Sequence, residues 1–207
     1  MYSPIAFQEH APDVLHRLIA EIGLGAIVTY GNNGHQATHL PLALSVNGTS
    51  TRLCGHVAKA NSQWRELANN PNVLATFLGP NAYITPQWYP SKLEHGRVVP
   101  TWNYVAVHAY GTAKAMEDGA WLLSNVKQLT AQHEGKFAHQ WLVEDAPPEF
   151  IERLCAAIVG IEITVTRLES AIKASQNRTA ADQLGVYNGL KDTGKDDAAV
   201  LAEIMKR

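Results

Sequence analysis

The chain has 207 residues, 46% hydrophobic and 17% charged, which suits one large domain, alone or with a small appendage, and excludes wholesale disorder. The formal net charge of -2 provides no basic footprint of the kind a duplex-DNA binder carries. No apolar run approaches the roughly 20 residues that a membrane-spanning helix needs.

The opening MYSPIAFQEH has no basic stretch followed by an apolar one, so no signal peptide is expected. Asp13 has the character of an N-cap, followed at helical spacing by Val14, Leu15, Leu18, Ile19 and Ile22, with Gly23 as the stop. GAIVTY reads as a buried strand, and GNNG at 31–34 as a hairpin turn, because Gly and Asn tolerate positive φ. HQATHLPLAL returns as a second strand; Pro41 has no amide to donate, which places that strand at an edge or bulges it. TRLCGHVAK is a third strand, and Asn61 caps a short helix, SQWRELANN, that ends before Pro71. VLATFLG and AYITPQWY follow as strands split by Gly79-Pro80, and PSKLEHGRV is a loop. VPTWNYVAVHAYG, with period two, begins a long strand that runs on through GTAKAM. Asp118 caps the helix WLLSNVKQLTAQHEG, and Asp145 with Pro147 and Pro148 starts another, EFIERLCAAIVG. A last strand, IEITVTRLES, precedes AIKASQNR and two closing helices, with KDTGKDDAA the most polar stretch. Strands run consecutively rather than alternating with helices, so the fold class is α+β with a closed or nearly closed antiparallel barrel and flanking helices.

Several chemistries lack their signature. HEGKF after Gln132 does not complete a zinc-protease HExxH, and there is no GxSxG elbow, GxGxxG or P-loop. Cys54 and Cys155 form neither a CxxC nor a metal spacing, and read as reduced thiols of a cytoplasmic protein. His39, His56 and His108 all fall on predicted strands; each reads as a satisfied strand residue, and no metal site is expected. No residue stands out as a general base or nucleophile.

Four polar clusters remain: ATHLP, GHVAKAN, PTWNY and KASQNR. In GHVAKAN a strand ends in Lys59 and a helix opens at Asn61, so unpaired first-turn amides and an ammonium form a plausible anion cradle, with Gly55 allowing close approach. The same residues also suit a simple cap and a solvated lysine. PTWNY offers rings for a flat ligand and an amide for a heterocycle edge, or else ordinary aromatic packing; Trp88, Tyr89 and Lys92 lie just upstream. A ligand with a phosphate at one end and a heteroaromatic plate at the other would use all of them, and flavin mononucleotide (FMN) has that shape.

MYSPIAF, ATHLPL, LCGHVAKANSQW, GPNAYITPQWY, VPTWNYVAVHAYG, LTAQHE, AIVGIEI and KASQNR occur in this order. Together they closely resemble the PaiB family of FMN-binding negative transcriptional regulators, over roughly positions 1–190. The resemblance implies an FMN-binding split β-barrel of the pyridoxamine-phosphate-oxidase-like kind over 1–190, with 191–207 as a polar helical tail, and a homodimer with the flavin between subunits. Mapped onto this chain it implies Ala37, Thr38, His39 and Leu40 along the phosphate and ring, and Gly55, His56, Val57, Ala58, Lys59 and Asn61 at the phosphate. It also implies Trp102, Asn103 and Tyr104 reaching across from the partner subunit, with Lys173 and Gln176 late in the chain. Where relatives read GKWKLSQNR this chain reads ESAIKASQNR, so Ser170, Ala171 and Ile172 stand in place of a Gly-Lys-Trp. Three functions follow from the resemblance and the residues: an FMN-binding transcriptional repressor, a flavin-dependent oxidoreductase using NAD(P)H or a small substrate, or a split-barrel protein for another ligand such as haem. DNA stays open as a partner without support from the net charge.

Overall fold

The computed structural model describes residues 1–32 and 34–206; Asn33 of the expected GNNG turn and Arg207 of the expected tail lie outside the described residues. In chain order the described elements are α1 (Pro12–Ile22), β1 (Leu24–Gly31), β2 (Gly34–Pro41), β3 (Ala43–Asn47), β4 (Ser50–Ala58), α2 (Gln63–Glu66), β5 (Asn72–Ile84), α3 (Ser91–His95), β6 (Thr101–Met116), α4 (Gly119–Glu134), α5 (Pro148–Ala156), β7 (Ile158–Lys173), α6 (Ala180–Asp192) and α7 (Asp196–Ile204). The architecture is α+β: seven described helices and one antiparallel sheet in the order β2-β1-β5-β6-β7-β4-β3. No described helix is long and apolar enough to cross a membrane.

The chain divides into two compact units. One comprises residues 16–77 and 108–168, the other 1–15, 78–107 and 169–207. The first is the barrel unit. Its sheet order puts β2 and β3 at opposite edges, yet only Leu42 separates them in sequence. One residue spans no more than about two 3.8 Å Cα steps, so the sheet must curl until its edges meet. The seam is tight: Leu42 N donates to Gly23 O at 2.9 Å, Leu42 is fully buried, and a Cβ on Gly55 of β4 would lie 2.6 Å from Pro41 O. The interior is filled by alternate residues, including Ile27, Leu53, Val57, Ala75, Phe77, Ile161 and Ile163, each at most 6% exposed. α4 covers the outer face beside β4 and β7, with a Trp121 ring carbon 2.1 Å from where a Cβ on Gly160 would sit. Beside it the carboxylate of Glu162 is buried, which pushes its pKa up, but Lys114 at 2.9 Å and Arg52 at 3.9 Å pull it down, and the net shift is downward.

The second unit is organised by α6. Thr179 caps it by accepting from Asp182 N at 3.2 Å, and Asp182 in turn accepts from Ser91 N at 3.1 Å and Ser91 Oγ at 2.7 Å. Gly185 and Gly189 clear a groove for Trp88: a Cβ at Gly189 would lie 2.2 Å from its ring. α7 packs with Leu201 fully buried.

Several local expectations need correction. α1 starts at Pro12, with Ala11 O accepting from Val14 N and Leu15 N, so Asp13 lies in the first turn rather than at the cap; the prolyl ring supplies a preset φ. Gly79-Pro80 does not split β5, which runs unbroken to Ile84, and SKLEH forms a helical turn closed by Gly96 at φ +67. Asp145 Oδ2 accepts from Leu142 N at 2.8 Å in a 3-10 turn, while α5 begins at Pro148. β7 continues through AIK to Lys173. Asp118 caps α4 as expected, accepting from Trp121 N at 2.8 Å.

Gly55→Ala, whose Cβ meets a carbonyl that cannot swing away, is expected to cost about 2 kcal/mol in urea unfolding, whereas Gly119→Ala, with nothing within 4 Å, is expected to be neutral or slightly stabilising. Glu162 has a depressed pKa in the folded state, so its stabilisation is present above the ordinary carboxylate pKa and is lost as pH falls through the folded value. Glu162→Gln is therefore expected to flatten the fall in melting temperature below about pH 4.5.

Candidate functional site

In the barrel unit the expected residues separate by strand alternation. On β2, Ala37 and His39 are exposed, Thr38 is half-buried and Leu40 is buried. Thr38 and Asn61 meet: Asn61 Nδ2 donates to Thr38 Oγ1 at 3.0 Å, and Thr38 Oγ1 donates to Gln63 Oε1. Gln63, 2% exposed, is the hub. Its Nε2 donates to Thr29 Oγ1 at 3.0 Å and shares contacts at 3.3 Å with Ile27 O and Gln36 O, tying α2 to β1 and β2. Nothing in SQWREL distinguishes this Gln from a surface residue; its role comes from the fold bringing three acceptors together.

The helix-start cradle takes a different form from the one expected. α2 is a single turn, too short to develop much macrodipole. Asn61 Oδ1 accepts from Gln63 N at 3.0 Å, so that amide is already used. Gly55 makes room for Pro41 O, Leu40 and Leu42. Val57 is buried in the core and Ala58 exposed. His56 points the other way, with Nδ1 3.4 Å from Asn125 Oδ1 on α4. Lys59 is half-exposed, and Glu117, its one carboxylate neighbour among the described residues, lies 3.9 Å away, beyond good hydrogen-bond length. Trp64 Nε1 donates to Lys59 O at 3.1 Å, and Arg65 stacks over the Trp64 ring at 4.7 Å.

In the second unit the ring-rich strand alternates through Tyr104 and then runs buried through Val105, Ala106 and Val107. Trp102 faces outward, half-exposed, with Nε1 donating to Asn81 Oδ1 at 3.1 Å and its ring 6.1 Å from Tyr83. Tyr104 is half-buried. Asn103 is fully buried; its Nδ2 donates to Ser175 Oγ at 2.8 Å, and its Oδ1 has no hydrogen-bond partner among the described residues. Ser175 holds φ +62, the one described non-glycine in the left-handed region, so Asn103 fixes a strained turn. Gln176 is spent on that turn: its Oε1 accepts from Ala174 N at 2.7 Å and its Nε2 donates to Ile172 O. Lys173 Nζ donates to Thr101 Oγ1 and stands 6.0 Å from the Phe7 ring centroid, with no carboxylate in ion-pair range among the described residues. Burial, and secondarily Arg178, lowers its pKa. The departure at Ser170 has a visible use: its hydroxyl accepts from Glu9 N at 2.8 Å and donates to Glu9 O at 3.0 Å, which a glycine cannot do.

Further along the same strand, in the barrel unit, His108 and Tyr110 lie 6.3 Å apart in an edge contact, Arg167 stacks 3.7 Å over Tyr110, and burial lowers the His108 pKa. His39, His56 and His108 thus face different surroundings, and no group of three metal-binding side chains occurs among the described residues.

The residue types fit FMN. In the barrel unit Lys59 meets Glu117 at 3.9 Å, loosely enough to offer ammonium donors to an anion, and in the second unit Lys173, penalised by burial, gains from one. Trp102 presents an exposed ring of the kind that packs on a planar heterocycle. The residue types agree with what the family comparisons find. Residues 1–167 match a family model described as "Putative FMN-binding domain". The chain is 32% identical over 206 residues to the protease synthase and sporulation protein PAI 2 of Bacillus subtilis, covering 100% of this chain and 97% of that one. Among solved structures it resembles the flavocytochrome Anf3 of Azotobacter vinelandii (TM-score 0.56, 10% identity, 81% of this chain and 69% of that one). It also resembles an FAD- and haem-binding protein of Mycobacterium smegmatis (TM-score 0.55, 12% identity, 86% and 78%), and at these identities the likeness shows the fold alone. The family model over residues 1–167 and the 32% identity across the whole chain place it in the PaiB-type family of FMN-binding split-barrel proteins, with FMN as its cofactor.

Proposed function

We propose that this chain is a flavin-loaded negative regulator of transcription, working as a cytoplasmic homodimer with FMN at the seam between subunits. The observation that carries the flavin geometry is Lys59: a lysine at the end of a barrel strand, half-exposed, held loosely by Glu117 at 3.9 Å. In this reading Lys59 takes the phosphate. Thr38 and Asn61, locked by Gln63, hold the adjoining β2 backbone in place for His39 and Ala37 to border the ring. The partner's Trp102 and the partner's Lys173 close over it, while Asn103 and Gln176 act by fixing the turn that carries Lys173. Bound FMN supplies the electron chemistry, and the polypeptide sets ring polarity and solvent access. The full-length likeness to a sporulation protein supports a regulatory role. A net charge of -2 favours repression through a protein partner or small-molecule signal over direct grip on duplex DNA.

The visible absorption spectrum of the protein as purified tests the flavin reading: a yellow protein releasing FMN on heating is expected, and a colourless one that FMN does not stabilise thermally overturns it. Lys59→Ala is expected to weaken FMN by about tenfold while leaving riboflavin binding unchanged, measured by fluorescence titration; equal weakening of both removes Lys59 from the phosphate. Light scattering is expected to give twice the chain mass, and a monomer that retains FMN excludes the seam. NAD(P)H oxidation dependent on bound FMN would move the assignment from regulator to oxidoreductase.

A further inference from the structure

The barrel unit carries a cavity whose apolar body the flavin reading does not use, although Lys59 stands on its rim. It lies between α4 and α5, has a volume of about 710 Å³, and falls within the roughly 300–1,000 Å³ typical of small-molecule sites. Here the helices face each other through short side chains, Ala120 on one wall and Ala156 on the other, and the space between them stays open. The floor is apolar, built from Leu123, Val143, Ile151 and Cys155. Burial raises the Cys155 pKa, so its thiol stays neutral and adds no charge to that floor.

The charges sit around the mouth. Lys127 pairs with Glu144, and Lys59 stands 3.9 Å from Glu117. Glu152 also lines the cavity and has no ion-pair partner among the described residues. Two lysines therefore face three glutamates, and the site lacks one positive charge. An apolar anion would meet the exposed Glu152 unfavourably, and a neutral ligand would gain nothing from it. We infer that this cavity is a second binding site, for a compact apolar organic cation such as an aralkyl amine, whose body fills the space between α4 and α5 and whose ammonium pairs with Glu152.

Lys59 is common to the cavity rim and the flavin reading; turning it to a phosphate would leave the carboxylates still less balanced, so the preference for a cation holds with or without flavin, and the variants leave Lys59 in place. Calorimetric titration of the protein as purified with 4-phenylbutylamine, 4-phenylbutanol and 4-phenylbutyrate compares three charges on one body. The amine is expected to bind saturably and about tenfold more tightly than the carboxylate, the size of one charge-assisted hydrogen bond. Glu152→Gln is expected to bring the amine to the level of the alcohol. Ala156→Phe is expected to abolish binding of both, and Ala120→Phe, from the opposite wall, to do the same should the first variant fail to fold. No saturable amine binding, binding that survives either Phe variant in folded protein, or a carboxylate that binds as tightly as the amine overturns the proposal. If the purified protein proves colourless, the flavin reading falls while the amine titration still decides the cavity.

Discussion

One covalent constraint governs the barrel: the chain passes from one edge of a seven-stranded sheet to the other in the single residue Leu42. A sheet joined edge to edge by so short a link cannot lie open. The interior alternation, the glycine opposite Pro41 O and the burial of Leu42 all follow from that closure. Pro41 sits where its missing amide matters least, at the end of an edge strand where pairing is already ending.

Closure also decides which polar residues serve the scaffold and which face outward. Thr38, Asn61 and Gln63 form a connected set whose members satisfy one another, with Gln63 supplying the buried amide that bridges α2 to β1 and β2. Such a network costs little when complete and much when broken. Lys59, one turn away in sequence, is left outside it. In the second unit Asn103, Ser175 and Gln176 are likewise committed to a turn, which leaves the ring face of Trp102 and the remaining ammonium donors of Lys173 with unspent capacity.

Much of this was legible in the sequence. Period-two runs located the strands, Asp118 announced α4, and the clusters around Lys59 and Trp102 carried enough chemistry to point to an anionic heterocycle. What stayed hidden was pairing across distance. Gln63 looks like any helix-surface glutamine until β1 and β2 surround it. Ser175 gives no sign of its left-handed backbone, where its hydroxyl accepts from Asn103 Nδ2, 72 residues away. Gly79-Pro80 reads as a break because local rules weigh the missing amide and ignore the neighbours that hold β5 extended through it. The crowding of rings on β6 resolves into alternation: Trp102 outward, Asn103 inward, and Tyr110 under a guanidinium.

The clasp between Ser170 and Glu9 joins residues 161 positions apart. Ordering a loop of that length costs entropy before the contact returns anything. During synthesis, the N-terminal segment must therefore wait for nearly the whole chain to emerge from the ribosome. The unit that Glu9 helps complete is assembled late, while every barrel strand up to β6 has already been made.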